Sequence, residues 1–353
     1  SNQMFRFAIR STLLRSVGMV TPGRSLSSSK NVALLFPGQG AQKPGMGKSL
    51  LEKYEPASSY YEKASSILGY DLAQLCTEGS AAELNKTSKC QPALYVTCYV
   101  DYLRILEENP ELVSRIFALA GLSLGELSAL CAAGVYTFED GLQLVKTRAE
   151  SMQDRCSSVD GGMLVSIGLS QPRVQAILQE VNTSLPEDQH CSLGSIMGER
   201  NFVISGLVET LKEVQGKLKE EGANASSGDD GTARVVTKVL NVDGPFHSVF
   251  MKDSVPLLKE AVKKSTWRTP LIPVFSNVDG RMHFDIGSLQ QNAVYQLEYP
   301  ALWKHSIQKM VHHGVTEFYE MGVSAGVGRQ LSSVIKREVE GGTLPSEVAV
   351  HVL

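Results

Sequence analysis

Ser123 stands at the centre of Gly121-Leu122-Ser123-Leu124-Gly125, a Gly-x-Ser-x-Gly pentapeptide. A serine hydroxyl on such a turn attacks carbonyl carbon when a base takes its proton and N–H donors receive the charge of the tetrahedral intermediate. Seven histidines are available as the base. His247 stands out because it follows a strand-like apolar run and lies in the turn-rich stretch 241–248, where a site loop would fall. His305, His312 and His313 lie in a helical pattern and read as surface residues. Asp243 precedes His247 closely, so a carboxylate partner for the imidazole stays open at this level. Arg148 falls in a helical run between Lys146 and Glu150, which by spacing alone is the pattern of an exposed face.

The elements around Ser123 turn a text match into a structural expectation. The apolar run 116–120 reads as a buried strand, and 126–133 as a mostly buried helix that stops near Gly134. Strand, Gly-x-Ser-x-Gly turn and helix make a nucleophile elbow. Its glycines allow backbone approaches that a side chain would block, and the helix N-terminus aims free N–H groups at the reacting centre.

Residues 31–36 read as a first buried strand closed by the turn 37–42, with helices over 54–68, 91–106 and 138–155. Strands are expected over 163–167, 191–196, 202–205 and 234–240, with helices over 172–181 and 208–221 between them. That β-α-β-β-α-β order is the ferredoxin-like unit, with 222–231 as a polar, Gly-rich surface loop. A strand over 272–276, a helix over 299–313, a strand over 317–320 and a helix over 327–338 follow. The fold class is α/β: a large α/β-hydrolase-like domain (31–155 plus 241–353) with an inserted small ferredoxin-like subdomain (156–240).

The chain has 353 residues, of which 42% are hydrophobic, so core-forming material is ample and a disordered or collagen-like chain is excluded. No apolar run approaches the length of a membrane span. Residues 1–51 contain no Asp or Glu, while Arg6, Arg10, Arg15, Arg24 and Lys30 are scattered among serines and apolar residues. This composition, with Arg6, Arg10 and Leu13-Leu14 spaced for an amphipathic helix, is that of a mitochondrial transit peptide. The leader is expected over 1–30, with cleavage between Arg24 and Lys30 and a destination in the mitochondrial matrix; Ser1-Asn2-Gln3 ahead of Met4 read as a cloning remnant. Removing residues 1–30 changes the formal charge from −3 to −8, and an acidic remainder argues against nucleic-acid binding. The six cysteines show no Cys-x-x-Cys or Cys/His spacing; free, buried thiols and no metal site are expected.

Taken in order, several segments resemble the malonyl-CoA:acyl-carrier-protein transacylase family, its animal mitochondrial branch in particular. They are Phe36-Pro37-Gly38-Gln39-Gly40-Ala41-Gln42, the elbow 121–126, Val145-Lys146-Thr147-Arg148-Ala149-Glu150-Ser151-Met152, Gly161-Gly162-Met163, Gly244-Pro245-Phe246-His247-Ser248, and Tyr295-Gln296-Leu297 ahead of Pro300 and Trp303. The resemblance covers 32–338 and implies that Ser123 is acylated by malonyl and that His247 is general base and acid. It further implies that the backbone carbonyl of Gln296 orients His247, giving a Ser–His dyad, and that the N–H groups of Gln39 and Leu124 form the oxyanion hole. Arg148 would hold the substrate carboxylate by charge-assisted hydrogen bonds, against the exposed-face reading from spacing. Malonyl-CoA would be a substrate, with no cofactor and no metal. The second substrate would be the mitochondrial acyl carrier protein, an acidic partner that calls for a basic docking patch, for which Lys336, Arg337, Arg329 and Lys304 are the candidates. Two departures from the family pattern are Leu122, where most bacterial members have His, and Met197-Gly198-Glu199-Arg200 in place of an Asn-Ser-Pro-type loop.

A serine hydrolase of lipase or thioesterase type would share the elbow, but it would place an acid between the serine and a late histidine. Several elements follow His247, which fits that reading poorly. A non-catalytic carrier-binding module would be expected to have lost Ser123, His247 or Arg148, and all three are present. A transferase of broader acyl range is the third reading that the sequence leaves open.

Overall fold

The computed structural model describes residues 31–224 and 235–351. The expected leader and the part of the expected loop from 225 to 231 lie outside the described residues. Among the described residues, ten strands form two sheets. They are β1 (Asn31–Phe36), β2 (Ile116–Gly121), β3 (Gly161–Ile167), β4 (Ser192–Gly198), β5 (Asn201–Leu207), β6 (Val236–Val239), β7 (Val274–Phe275), β8 (Met282–His283), β9 (Val315–Glu320) and β10 (Ala349–His351). The helices of nine residues or more are α1 (Pro56–Leu68), α2 (Thr87–Glu108), α3 (Leu124–Ala132), α4 (Phe138–Cys156), α5 (Gln171–Asn182), α6 (Val208–Asn224), α7 (Val255–Lys264), α8 (Ile286–Tyr295), α9 (Trp303–His312) and α10 (Leu331–Glu340).

The larger sheet runs β10-β9-β1-β2-β7-β8, parallel throughout except for the antiparallel β7–β8 pair. Its central strands are continuous apolar runs because helices cover both faces, and Val32 to Phe36 are fully buried. Phe36 pairs with Gly121, so β1 and β2 end side by side. The 37–40 turn and the elbow therefore leave the sheet as neighbours, in the crevice beyond the carboxyl ends of parallel strands where α/β sheets place ligands.

The smaller sheet is antiparallel with order β4-β5-β3-β6. Its strands alternate. Leu164, Phe202 and Ile204 pack into a separate core with Val174, Leu178, Val214 and Leu218 of α5 and α6. Met163, Met197 and Val203 belong instead to the core of the larger unit. Backbone bonds from Ile196 N–H to Ala301 O (2.9 Å) and from Ala301 N–H to Gly194 O (2.9 Å) tie β4 to the segment before α9.

Several expected boundaries move. α6 continues through Gly222 to Asn224, so the loop expected from 222 begins later. The strand expected over 272–276 pairs only at Val274 and Phe275. The helix expected from 299 starts at Trp303, because Pro300 lacks an N–H and biases Tyr299 away from helical angles. That expected from 327 starts at Leu331, where Glu320 accepts from the N–H groups of Gln330, Leu331 and Ser332. α7 and α8 were not anticipated; each buries only a short apolar stripe, Leu258 and Val262 in α7. All six cysteines are buried and none is joined in a disulfide. No described helix is long and apolar enough to cross a membrane, and no group of metal-ligating side chains occurs among the described residues.

Candidate active site

Ser123 sits between β2 and α3 with φ 55° and ψ −109°, a strained backbone for a residue with a side chain. The two flanking glycines make that turn possible. A Cβ on Gly121 would lie 1.9 Å from the Gly125 carbonyl carbon, and one on Gly125 would lie 2.0 Å from the Phe36 carbonyl oxygen. Asn277, just past β7, fastens the elbow from below. Its Oδ1 accepts from Ser123 N–H at 2.6 Å and its Nδ2 donates to Gly121 O at 2.6 Å. Its own N–H donates to Glu126 Oε2 at 2.9 Å. The Ser123 amide is thus occupied, whereas Leu124 N–H opens α3 and has no carbonyl within the helix to meet.

His247 lies on the loop after β6, also at positive φ (57°). Its Nε2 is 2.8 Å from Ser123 Oγ, and its Nδ1 is 2.6 Å from Gln296 O and 3.2 Å from Tyr299 O. Two carbonyls at Nδ1 require the proton there, which leaves Nε2 to accept from the serine. Asp243 plays no part in this contact: its Oδ2 accepts from Thr87 N–H and Oγ1, each at 2.7 Å, and caps α2. Burial, reinforced by the positive charge of Arg148 and opposed by the two carbonyls, pulls the imidazole down to about 4. Near neutral pH it is an unprotonated base.

Arg148 is the largest correction to spacing-based reading. Lys146 and Glu150 reach solvent, but Arg148 is 1% exposed. Its Nη1 donates to Gln91 Oε1 (2.7 Å), and its Nη2 to Ser123 Oγ (2.9 Å) and Gln296 Oε1 (3.2 Å). Among the described residues no carboxylate pairs with it directly, and its Nε has no acceptor. Burial lowers it only to about 10, so the guanidinium stays charged. The charge that acts on it most is the buried Glu126, whose carboxyl burial raises to about 7.

These groups meet at a cavity of ≈ 270 Å³ between the two sheets. Gly38, Gln39, Ser123, Arg148 and His247 form its polar end, and Met163, Val165, Met197 and Val203 of the small sheet roof it. Leu122 also lines it and is buried, so the departure there makes this wall apolar. In the segment that departs from the family loop, Met197 and Gly198 end β4, and Glu199 is held by the ion pair with Lys304. Of the basic candidates, Arg337 reaches the cavity, Lys336 and Arg329 are exposed, and Lys304 is engaged by Glu199. Sequence reasoning missed Gln91, Glu126, Asn277 and Gln330. A charged residue at the start of the mostly buried helix 126–133 was the one available signal, at Glu126.

The acyl transferase domain family matches residues 33–339. The chain belongs to the acyl transferase domain family. It is 32% identical over 307 residues to the human mitochondrial malonyl-CoA-acyl carrier protein transacylase, covering 86% of this chain and 76% of that one. It is 33% identical to the malonyl CoA-acyl carrier protein transacylase of Bacillus subtilis, covering 87% and 90%. Among solved structures, the transacylase of Coxiella burnetii matches with a TM-score of 0.80 at 27% identity, covering 93% of this chain and 95% of that one. A type II PKS acyl-carrier protein in complex with its malonyl-transacylase matches with a TM-score of 0.79 at 28% identity, covering 92% and 96%. The ordered motifs from residue 36 to 303 are thus shared with malonyl-CoA-acyl carrier protein transacylases, and this acyltransferase chain keeps the mixed α/β architecture with a parallel sheet.

Proposed function

We propose that this chain moves malonyl from coenzyme A to Ser123 and then to the phosphopantetheine thiol of an acyl carrier protein. The observation that carries the reading is Arg148, a buried guanidinium without a carboxylate partner among the described residues, 2.9 Å from the nucleophilic oxygen. A neutral acyl chain leaves that charge unsatisfied, while a malonyl carboxylate meets it with charge-assisted hydrogen bonds. The names of the relatives support the same substrate pair.

Ser123 Oγ attacks the thioester carbonyl as His247 Nε2 takes its proton. The oxyanion is received by the N–H groups of Gln39 and Leu124. Collapse expels the coenzyme A thiolate, which takes the proton from His247. The carrier thiol then attacks the malonyl-serine ester by the same steps, its proton passing through His247 to Ser123. The Gln296 and Tyr299 carbonyls stabilise the imidazolium without a carboxylate.

We also infer the folds of the two units and the location of the enzyme. The larger unit (31–155 and 241–353) is α/β-hydrolase-like, and 156–240 is ferredoxin-like, supported by the sheet order β4-β5-β3-β6. Residues 1–30 direct the enzyme to the mitochondrial matrix, supported by their acid-free composition and by the mitochondrial human and mouse relatives.

Intact-protein mass spectrometry after brief mixing with malonyl-CoA or acetyl-CoA tests the reading. The expected result is a malonyl adduct that Ser123→Ala abolishes, with little acetyl adduct on the native protein. Equal labelling by both thioesters would remove the malonyl assignment. Steady release of coenzyme A without adduct or carrier acylation would point to a hydrolase.

A further inference from the structure

Gln330 lies just before α10, across the cavity mouth from the elbow, and its side chain makes an unusual pair of contacts. Its Oε1 accepts from Gly38 N–H at 2.9 Å, and its Nε2 donates to Gln39 O at 3.1 Å. One carboxamide therefore grips the peptide units on both sides of the Gly38–Gln39 bond. The unit between them is held from a third point, since Gly38 O accepts from Ala41 N–H at 3.3 Å. In a trans peptide the N–H points opposite to the C=O. With that carbonyl turned to Ala41 and both neighbouring units gripped, the Gln39 N–H has one direction left. A Cβ on Gly38 would lie 2.5 Å from Leu122 O, so the turn is also seated against the elbow.

The grip is itself anchored. Gln330 N–H donates to Glu320 Oε1 at 2.8 Å, and both Glu320 oxygens hold the first N–H groups of α10. Glu320 ends β9 and pairs with Leu35 of β1, the strand that leads into the turn. We propose that Gln330 is a positioning residue whose carboxamide fixes the 37–40 turn so that the Gln39 N–H stands preorganised as an oxyanion donor. This inference rests on the acyl-transfer reading of Ser123 and names the group that holds its oxyanion site. Preorganised donors act because no reorganisation accompanies the reaction. A turn free to rotate would bind substrate equally well and react more slowly.

The test is single-turnover acylation of Ser123 by rapid quench and intact mass, on the full chain, with malonyl-CoA and separately with p-nitrophenyl acetate. The second donor needs the dyad and the oxyanion site but not Arg148. Gln330→Met keeps the length and loses both bonds; Gln330→Asn keeps the carboxamide one methylene too short to bridge. For both variants the maximal acylation rate is expected to fall about 10- to 100-fold, less than the roughly 100- to 1000-fold of an oxyanion donor removed outright, because the Gln39 N–H is misaligned and not lost. The half-saturating malonyl-CoA concentration should stay within about two-fold, and the acid limb of the pH–rate profile should not move, because His247 is held elsewhere. Native rates in both variants would overturn the proposal. So would a loss confined to half-saturation, which would make Gln330 a substrate contact, or a shifted acid limb, which would place the damage at His247. If p-nitrophenyl acetate acylates Ser123 and malonyl-CoA does not, the substrate reading fails while the Gln330 comparison stands. If neither donor acylates Ser123, both fall.

Discussion

At the scale of single residues, the site depends on charges kept out of water. His247 is held unprotonated by its burial and by Arg148, so the acylation rate should be flat from about pH 6 to 8. It should fall only as the pH nears the depressed value of about 4. Arg148→Ala removes the second cause of that depression, so the acid limb of its residual activity should move to higher pH. The same variant should lose about 10- to 100-fold in malonyl transfer, as expected for one buried hydrogen-bonded charge pair, and lose its preference over acetyl. Rate–pH profiles of the two proteins check both statements. An unmoved limb would mean that the field of Arg148 does not reach the imidazole.

At the scale of elements, the elbow holds because strand, turn and helix approach more closely than side chains allow. Gly125→Ala should destabilise the fold by about 3 kcal/mol, at the upper end for overpacking, since the methyl would meet the Phe36 carbonyl and not a movable side chain. Denaturant unfolding measures this, and a cost below about 1 kcal/mol would show that β1 and α3 can separate at little expense. Glu126 couples the elbow to the strand β7 through Asn277, and its carboxyl is raised to about 7 in the folded chain. A raised carboxyl contributes stability fully below its unfolded value and loses it as the pH rises through the folded one. Stability should therefore decline between about pH 4.5 and 7, and Glu126→Gln should flatten that slope. Thermal melts across this range decide it; equal slopes would place the decline in other groups.

At the scale of the whole molecule, the cavity exists only because one sheet closes over the other. The small unit has its own core under α5 and α6, but its other sheet face, with Met163, Met197 and Val203, packs into the large core. A segment 156–240 made alone would expose that face and hold too little apolar material to offset its chain entropy. It should lack cooperative unfolding and dispersed amide resonances, whereas the full chain should melt in one transition by both circular dichroism and tryptophan fluorescence. A cooperative melt of the isolated segment would show that closure of the cavity and folding of the small unit are separate events.

The sequence by itself determined the elbow, the α/β class and the β-α-β-β-α-β order between residues 161 and 239. Each is written in local terms: an apolar run, a Gly-x-Ser-x-Gly turn, a change of hydrophobic period from helix to strand. Ser123 and His247 were legible for the same reason, one on its turn and the other in a loop after a strand. Which partner the histidine has, whether Arg148 is buried, and what holds the 37–40 turn depend on contacts between residues far apart in the chain. Asp243 stood nearest to His247 in sequence and caps a helix instead, while the carbonyl that orients the ring comes from Gln296. Arg148 looked exposed because periodicity describes one helix, and its burial comes from Gln91 and Gln296, on two other segments. Gln330 had no signal at all: a glutamine ahead of a helix acquires its role only when β1 and β9 pair and bring the turn to it.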